Sequence, residues 1–438
     1  MVELPFRTLV AYGLPAAGFA FALFFVQFYF LKFATDVLLL SPAMMGWIFA
    51  GAKLFDAVSN PLVGSASDRG RSRFGRRAPF LAVALPLFVA SFAMLWRPPA
   101  AMDGSMLAAW AAGGLLLFYT AFALYAVPHA ALGAELSPDS HERTRLFGAR
   151  HVGMTVGMMA AFGGMHVAMN AADGRAAASG VALPAICAAA AVLVVPILFV
   201  RAPRGATARS DASLLRGLRD VWRNRPARLL LLVYLVEALG TGAVGVMAPY
   251  VTEYWLGRPE LVAVLPTAYV GASIASIPLW VMVSRRFGKR DTWLGAMALA
   301  AGAFGGLFAF GASVPAAIGL LVLAGAAMGA GGVLSASILA DLIDLDERAT
   351  GERKEGIYSA AMSFTLKFGT SIATAASGLV LAATGFVPNV AQTAESLLGI
   401  RILFAGFPCL GFAIGALCFT RFSAEPAAAV QRPISSVT

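Results

Sequence analysis

The chain has 438 residues, of which 59% are hydrophobic and 13% are charged, and its mean hydropathy is +0.77. Soluble globular domains are about 45–50% apolar and about 25% charged, so this composition excludes that class and predicts an integral membrane protein. The formal net charge of +10 does not indicate nucleic-acid binding, because the basic residues form short clusters between apolar runs. Cys187, Cys409 and Cys418 lie in apolar segments without metal or redox spacing, which is typical of packing residues.

Twelve apolar runs follow one another along the chain, and each is long enough to cross a bilayer, for which about 20 helical residues suffice. The predicted fold class is therefore an all-α membrane protein. The predicted spans, in chain order, are 8–35, 43–66, 78–98, 106–134, 146–170, 181–201, 227–255, 262–284, 293–313, 316–344, 356–384 and 396–421.

The distribution of Lys and Arg predicts how the chain is oriented. The segment 67–77 holds five arginines, the segment 202–226 holds six, and the segment 284–292 holds four basic residues. The alternating loops on the opposite side of the membrane carry only Arg97, Arg175 and Arg258. Because basic loops stay on the cytoplasmic side, both termini and the long linker are expected in the cytoplasm of a bacterial cell, with the spans in its inner membrane.

The linker divides the spans into two sets of six. We expect a six-helix bundle at 1–201, a cytoplasmic linker at 202–226, a second bundle at 227–421 and a disordered tail at 422–438. Short sequence echoes at matching places support an internal repeat. They are Arg73–Arg77 with Arg286–Arg290, and Ala134–Leu136 with Ala340–Leu342. Two parallel halves with a site between them near the midplane describe the major facilitator architecture, which indicates alternating access.

A polar stripe interrupts the second span. Lys53, Asp56, Asn60 and Gly64 have spacings that place them on one face of a helix. A carboxylate at the bilayer centre costs about 2.5–3.5 kcal/mol on insertion scales, so it faces a protein interior or an aqueous cavity. Asp56 therefore indicates a site for a polar or charged solute. The alternative is an inert buried ion pair.

Several stretches resemble the glycoside–pentoside–hexuronide:cation symporters, the branch of the major facilitator superfamily that contains the melibiose permeases. The pattern is also similar to that of the sodium-dependent lysophospholipid symporters of animals. The resemblance covers nearly the whole chain in order. It rests on Ala11–Gly13, Thr35–Val37, Asp56–Gly64, Arg71–Arg76, Pro138–Asp139, Glu142–Thr144, Arg150, Ala340–Asp344, Gly351–Tyr358 and Gly385–Asn389.

The resemblance implies a cation site with a reduced charge. Two aspartates of the melibiose permeases correspond to Asp56 and Asn60, and a third corresponds to Ala126, whereas a lysine of the eleventh span is kept as Lys367. Asp56 and Lys367 would lie close together and form a neutral pair. One carboxylate and one amide oxygen are few ligands for a hard cation. The favoured coupling ion is therefore H⁺, with Na⁺ at Asp56 as the alternative, and no cofactor or other metal is expected.

The sugar-binding pattern also departs from the melibiose permeases. Their Lys-Asp pair on the first span corresponds to Phe19 and Ala20, and a tryptophan on the fourth corresponds to Ala130, whereas their arginine on the fifth is kept as Arg150. The loss of these groups argues against a melibiose-like substrate. The family still favours a glycoside or hexuronide-like solute.

Arg150 is the first candidate for substrate binding, because a guanidinium offers a planar fork of donors to a carboxylate, a phosphate or a pair of hydroxyls. The alternative for Arg150 is an interhelical ion pair. Glu237 is a candidate for proton or substrate binding or for a structural hydrogen bond, and His129 for a proton relay or a hydrogen-bonded packing role. Tyr12 and Phe19 are further substrate-binding candidates, although aromatic packing explains Phe19 equally well.

Charged residues near the cytoplasmic ends are expected to form gating ion pairs between the bundles, and we name Arg73, Arg76, Asp341 and Asp344. The function that follows is cation-coupled symport of a small organic solute by a monomer in contact with membrane lipids. The alternative solute is a lysophospholipid or another amphipathic molecule. No nucleophile–base pair, metal cluster or ATP-binding segment occurs in the sequence, so neither an enzyme nor a primary pump is expected.

Overall fold

The computed structural model describes residues 4–69, 72, 76–137, 139–199, 221–350 and 355–422. These residues form helices and connecting segments without a strand, which confirms the predicted all-α class. The twelve long helices among them are α1 Phe6–Lys32, α2 Pro42–Arg69, α3 Ala78–Trp96, α4 Gly104–Glu135, α5 Ser140–Met169, α6 Gly174–Phe199, α7 Arg225–Tyr250, α8 Val264–Phe287, α9 Lys289–Phe310, α10 Val314–Thr350, α11 Glu355–Ala383 and α12 Ala394–Phe419.

Eleven of these helices are long and apolar enough to cross a membrane by length and composition. The exception is α2, which carries Lys53, Asp56 and Asn60 within its length. A membrane helix can hold such residues where they face protein rather than lipid. Most of the predicted linker at 202–226 and nearly all of the predicted tail at 422–438 lie outside the described residues.

Two helices begin six or seven residues earlier than the hydropathy pattern predicts. α5 begins at Ser140 rather than 146, and the Asp139 carboxylate accepts hydrogen bonds from the backbone N–H groups of His141 at 2.7 Å and Glu142 at 3.4 Å. α6 begins at Gly174 rather than 181, after Asp173, which caps it in the same way. The predicted starts were wrong because the capped first turns are polar and so fall outside an apolar window.

The two sets of six helices repeat one packing scheme. In each half the first helix packs against the fifth and the sixth, the second against the fourth, and the third against the fourth and the sixth. This repetition agrees with the internal repeat expected from the sequence. Between the halves, α2 packs along α11 and α1 packs against α7.

Small residues allow the closest contacts. A Cβ atom added to Gly157 on α5 would lie 2.2 Å from the carbonyl oxygen of Ala17 on α1. Between the halves, a Cβ atom on Gly46 of α2 would lie 2.9 Å from the Cα atom of Gly378 on α11. Membrane helices associate through such close backbone packing, because burial from water contributes little inside the bilayer. The α1–α5 contact therefore fixes the first half, and the α2–α11 contact fixes the halves against each other.

We expect Gly157→Ala to destabilise the protein by about 1–3 kcal/mol, the usual cost of forcing an added group into a packed interior. The matched control is Gly163→Ala on the same helix, where an added Cβ meets nothing within 4 Å. Thermal unfolding of both variants in detergent measures the difference. Equal unfolding temperatures would contradict the assigned contact between α1 and α5.

Candidate functional site

The three residues predicted to couple the cation come together where α2 meets α11. Lys367 Nζ on α11 donates a 2.5 Å hydrogen bond to Asp56 Oδ2 on α2. With its amide oriented to satisfy both neighbours, Asn60 donates to Asp56 Oδ1 at 3.2 Å and accepts from Lys367. The predicted proximity is thus observed, and the ion pair joins the two halves of the molecule.

Lys53 lies one turn before Asp56 and adds a second cation to this interface. Its Nζ donates a 2.8 Å hydrogen bond to Thr374 Oγ1 on α11 and lies 5.2 Å from the centre of the Phe49 ring. The residue is 6% exposed, and within the described part of the chain no carboxylate lies at ion-pair distance from it. With Lys53, Asp56 and Lys367 ionised, the interface carries a net charge of +1. The sequence analysis did not identify Thr374, which belongs to a helix with many other Ser and Thr residues.

Arg150 lies half-buried on α5, and its guanidinium stands 5.9 Å from the centre of the Phe19 ring on α1. Among the residues that the structure describes, Arg150 forms no ion pair. Its alternative role as an interhelical ion pair therefore finds no partner in this conformation. The guanidinium retains donors for a solute or water.

Tyr12, Phe19 and His129 form an aromatic stack inside the first half. The Tyr12 and His129 rings stack 4.6 Å apart and nearly parallel, and Phe19 meets His129 edge-on at 5.9 Å. All three side chains are fully buried in this conformation, and their contact with a substrate stays a prediction. The polar atoms of Tyr12 and His129 find no hydrogen-bond partner among the described residues. The stack therefore supports Arg150 through Phe19 rather than forming a solute-accessible wall.

Glu237 lies at the middle of α7 and is 8% exposed. Its Cγ atom would lie 3.9 Å from a Cβ atom added to Gly415 on α12, and Trp293 on α9 is a polar neighbour of the carboxyl group. The side chain is thus directed into the second half, toward helices that do not pack along the first half. The predicted contact of Glu237 with a substrate stays a prediction. Within the described residues Glu237 forms no ion pair.

A second polar cluster joins the halves at the face opposite the linker, and the sequence analysis missed its role. The π-helical turns Phe33–Val37 and Val251–Trp255 extend α1 and α7. Lys32, which is buried, forms ion pairs with Asp36 and, across the halves, with Glu253 Oε2 at 2.9 Å. A repeat was the available signal, since Ala34-Thr35-Asp36 and Val251-Thr252-Glu253 occupy equivalent places in the two halves.

Further hydrogen bonds tighten this cluster. Tyr254 Oη donates to the Asp36 carboxylate, and Asn389 Nδ2 donates to the Asp36 carbonyl oxygen at 2.8 Å. Thr35 and Tyr250 share a 2.7 Å hydrogen bond across the halves. These contacts close the interface at the face opposite the linker.

The expected gating pairs at the linker face lie within single halves instead. Arg76 pairs with Glu135 at 2.7 Å in the first half, and Asp341 pairs with Lys289 at 2.6 Å in the second. In this conformation neither Arg76 nor Asp341 forms an ion pair between the bundles within the described residues, and their gating role stays a prediction. Asp344 is exposed, and Arg73 lies outside the described residues.

Residues 11–425 match the family described as MFS/sugar transport protein. The chain belongs to this family. It is 27% identical over 423 residues to a glucuronide carrier protein homolog of Escherichia coli, covering 93% of this chain and 90% of that protein. It is 29% identical over 433 residues to an isoprimeverose transporter of Lactiplantibacillus pentosus, covering 94% of this chain and 86% of that one.

The crystal structure of a D-xylose-proton symporter has the same fold, with a TM-score of 0.69, 16% identity and coverage of 95% and 97% of the two chains. Together these matches confirm the major facilitator fold and the resemblance to glycoside–pentoside–hexuronide:cation symporters. The family is one of membrane transport proteins, so the predicted class of secondary transporter for a small solute is confirmed.

We expect Asp56→Asn to destabilise the protein, because it leaves Lys53 and Lys367 without a carboxylate. Breaking a fully buried pair costs about 3–5 kcal/mol, and we expect less here, since the Lys367 side chain is 29% exposed. The double variant Asp56→Asn/Lys367→Met removes the orphaned cation and should recover part of the loss in thermal unfolding and in substrate counterflow.

The control for this test is Glu260→Gln, which breaks an exposed pair with Arg258 and should cost no more than about 1 kcal/mol. A double variant no better than Asp56→Asn would show that Lys367 does not depend on Asp56 for compensation.

Proposed function

We propose that the chain is a proton-coupled symporter for a small anionic sugar derivative of the hexuronide type. The observation that carries this proposal is the excess of cations along the inner faces of the helices. Lys53 and Arg150 lack carboxylate partners in the described part of the chain, and Lys367 uses the carboxylate of Asp56. An uncompensated cation in a membrane protein is costly, and an anionic substrate would compensate it.

The relatives support a sugar-like solute and include one named for an anionic sugar. The glucuronide carrier homolog is named for a substrate that bears a carboxylate, whereas the isoprimeverose transporter is named for a neutral sugar. Arg150 is suited to the charged member of this class, because its guanidinium can bind a carboxylate through two parallel hydrogen bonds.

The geometry around Asp56 supports H⁺ over Na⁺ as the coupling ion. The Lys367 ammonium occupies one carboxylate oxygen, and Asn60 donates to the other. A sodium ion bound there would have to displace an ammonium group and would gain few oxygen ligands. A proton needs no such coordination shell.

The basic linker face supports an orientation with that face toward the cytoplasm. In this orientation the cluster of Lys32, Asp36 and Glu253 closes the outer side. We further propose that the protein functions as a monomer in the inner membrane.

A second candidate is an amphipathic solute, and a crevice at the lipid-facing side of the helices favours it. An apolar crevice lies between α2 and α11, and its lining includes Trp47, Leu54, Phe368 and Ile372. Such a crevice would admit an acyl chain from the bilayer. The cations on the inner helix faces would then bind a phosphate rather than a sugar carboxylate.

Transport by purified protein in sealed vesicles tests these alternatives. A hexuronide carries one negative charge, so its symport with one proton moves no net charge across the membrane. A pH difference, and not a membrane potential, should therefore drive accumulation. A pH difference of one unit would support about tenfold accumulation at one proton per solute. Uptake of methyl glucuronide, methyl glucoside and lysophosphatidylcholine should be compared in sodium-free and sodium-containing buffer.

We expect the glucuronide to accumulate without sodium and the other two solutes to fail. Strict dependence on sodium would refute the proposed coupling ion, and transport of the lysolipid would favour the amphipathic solute.

We expect Arg150→Lys to weaken glucuronide binding nearly as much as Arg150→Ala, because lysine retains the charge and loses the two-pronged geometry. Equilibrium binding to the folded, purified variants measures this effect. Arg258→Lys is the matched control, since Arg258 lies in an exposed pair with Glu260. Unchanged affinity in Arg150→Ala would remove Arg150 from the binding site, and recovery by lysine would show that positive charge alone is sufficient.

A further inference from the structure

Glu237 is a buried acid within the second half that the cation and substrate sites do not use. It is the thirteenth of the 26 residues of α7, which places it near the middle of the membrane. Its described neighbours provide no cation at ion-pair distance. A buried carboxylate without a cation is expensive in its charged form and inexpensive in its protonated form.

The polar groups near Glu237 are neutral ones. They are the indole of Trp293 on α9 and the phenols of Tyr234 on α7 and Tyr269 on α8. The Thr241 hydroxyl one turn later donates to the Glu237 backbone carbonyl oxygen at 2.9 Å, not to the carboxyl group. Neutral donors of this kind can hydrogen-bond to the ionised or to the protonated carboxyl group.

The lysines on the other helices packed against α7 are engaged in ion pairs with other carboxylates. Lys367 on α11 pairs with Asp56, and Lys32 on α1 pairs with Asp36 and Glu253. α12 presents Gly411 and Gly415 to this part of α7 and carries Arg401 near its opposite-face end, where Arg401 donates to the Phe308 carbonyl oxygen. The remaining ionisable residues on these helices are Arg7, Arg285, Arg286, Asp341, Asp344, Asp346, Glu347, Arg348, Glu355, Glu395, Cys409 and Cys418.

Asp56 is less suited to accept a proton. Its charge already balances Lys367, so protonation would break that pair and leave Lys53 and Lys367 as two uncompensated cations at one interface. Protonation of Glu237 instead removes a buried charge and disturbs no ion pair within the described residues. The two carboxylates thus differ in the free-energy cost of protonation.

We propose that Glu237 binds and releases the coupling proton. This inference rests on the proposed function, which takes H⁺ as the coupling ion. The step is an acid–base equilibrium: a proton from the outer solution adds to the carboxylate, the neutral acid is carried through the change of access, and the same proton leaves to the inner solution. Asp56 and Lys367 remain a closed pair that holds α2 to α11.

The test compares two modes of transport in vesicles that contain Glu237→Gln. Counterflow exchanges labelled for unlabelled methyl glucuronide and needs no net proton movement, so it should stay within about twofold of the wild type. Accumulation driven by a pH difference of one unit should fall from about tenfold to none. A pH-sensitive dye trapped in the vesicles should record proton entry with glucuronide in the wild type and none in the variant.

Two further variants sharpen the comparison. Glu395→Gln changes an exposed acid in the first turn of α12 and should leave both modes unchanged. Glu237→Asp keeps an acid at the site and should retain accumulation with a displaced pH profile, which provides the test if the glutamine variant fails to fold. An unchanged pH profile in Glu237→Asp would oppose the proposal.

The outcomes separate the two proposals. Accumulation and proton entry retained in Glu237→Gln would overturn the assignment of Glu237 and leave proton symport intact. Sodium-driven accumulation by the wild type, without proton entry, would overturn both.

Discussion

The ion pair between Asp56 and Lys367 is the interaction on which the arrangement of the two halves depends. It joins α2 to α11 within the membrane, where a lone charge is costly and a compensated pair is tolerated. Asn60 adds hydrogen bonds to both partners, and Lys53 extends the contact by one turn through Thr374. A change of access has to move these helices without leaving either charge unpaired. The pair therefore limits the motions of α2 and α11 that have a low free-energy cost.

The contacts between the halves become denser toward the face opposite the linker. Beyond the ion pair, Gly46 and Gly378 bring α2 and α11 into backbone contact. Farther along, Lys32 links Asp36 of one half to Glu253 of the other. The two acids occupy equivalent places in the two halves around one lysine, as expected of a structure built from a repeat.

The helices and the two halves could be predicted from the sequence, because hydropathy and helical spacing report which residues share a face. The meeting of Asp56 with Lys367 followed from the family resemblance. The pairing of Lys32 with Glu253 was not predicted, because the sequence does not show which helix ends meet. The burial of Tyr12 and His129 was not predicted either, since periodicity identifies a polar face but not the neighbouring helix that covers it. The early starts of α5 and α6 were not predicted, because an aspartate caps each helix ahead of a first turn that is not apolar.

Two acidic residues in this protein occupy environments that differ in charge compensation rather than in depth. Asp56 faces a lysine, so its ionised form is the one that the interface stabilises. Glu237 faces an indole and phenols, so its protonated form is the less costly one when the site is closed to water. A transporter that couples a proton to an anionic solute requires both properties. It needs a fixed ionised group that maintains the binding geometry, and a separate acid whose charge can change without disrupting that geometry. Placing the two on different halves allows the changing charge to act on helix packing in the second half while the joint between the halves stays intact.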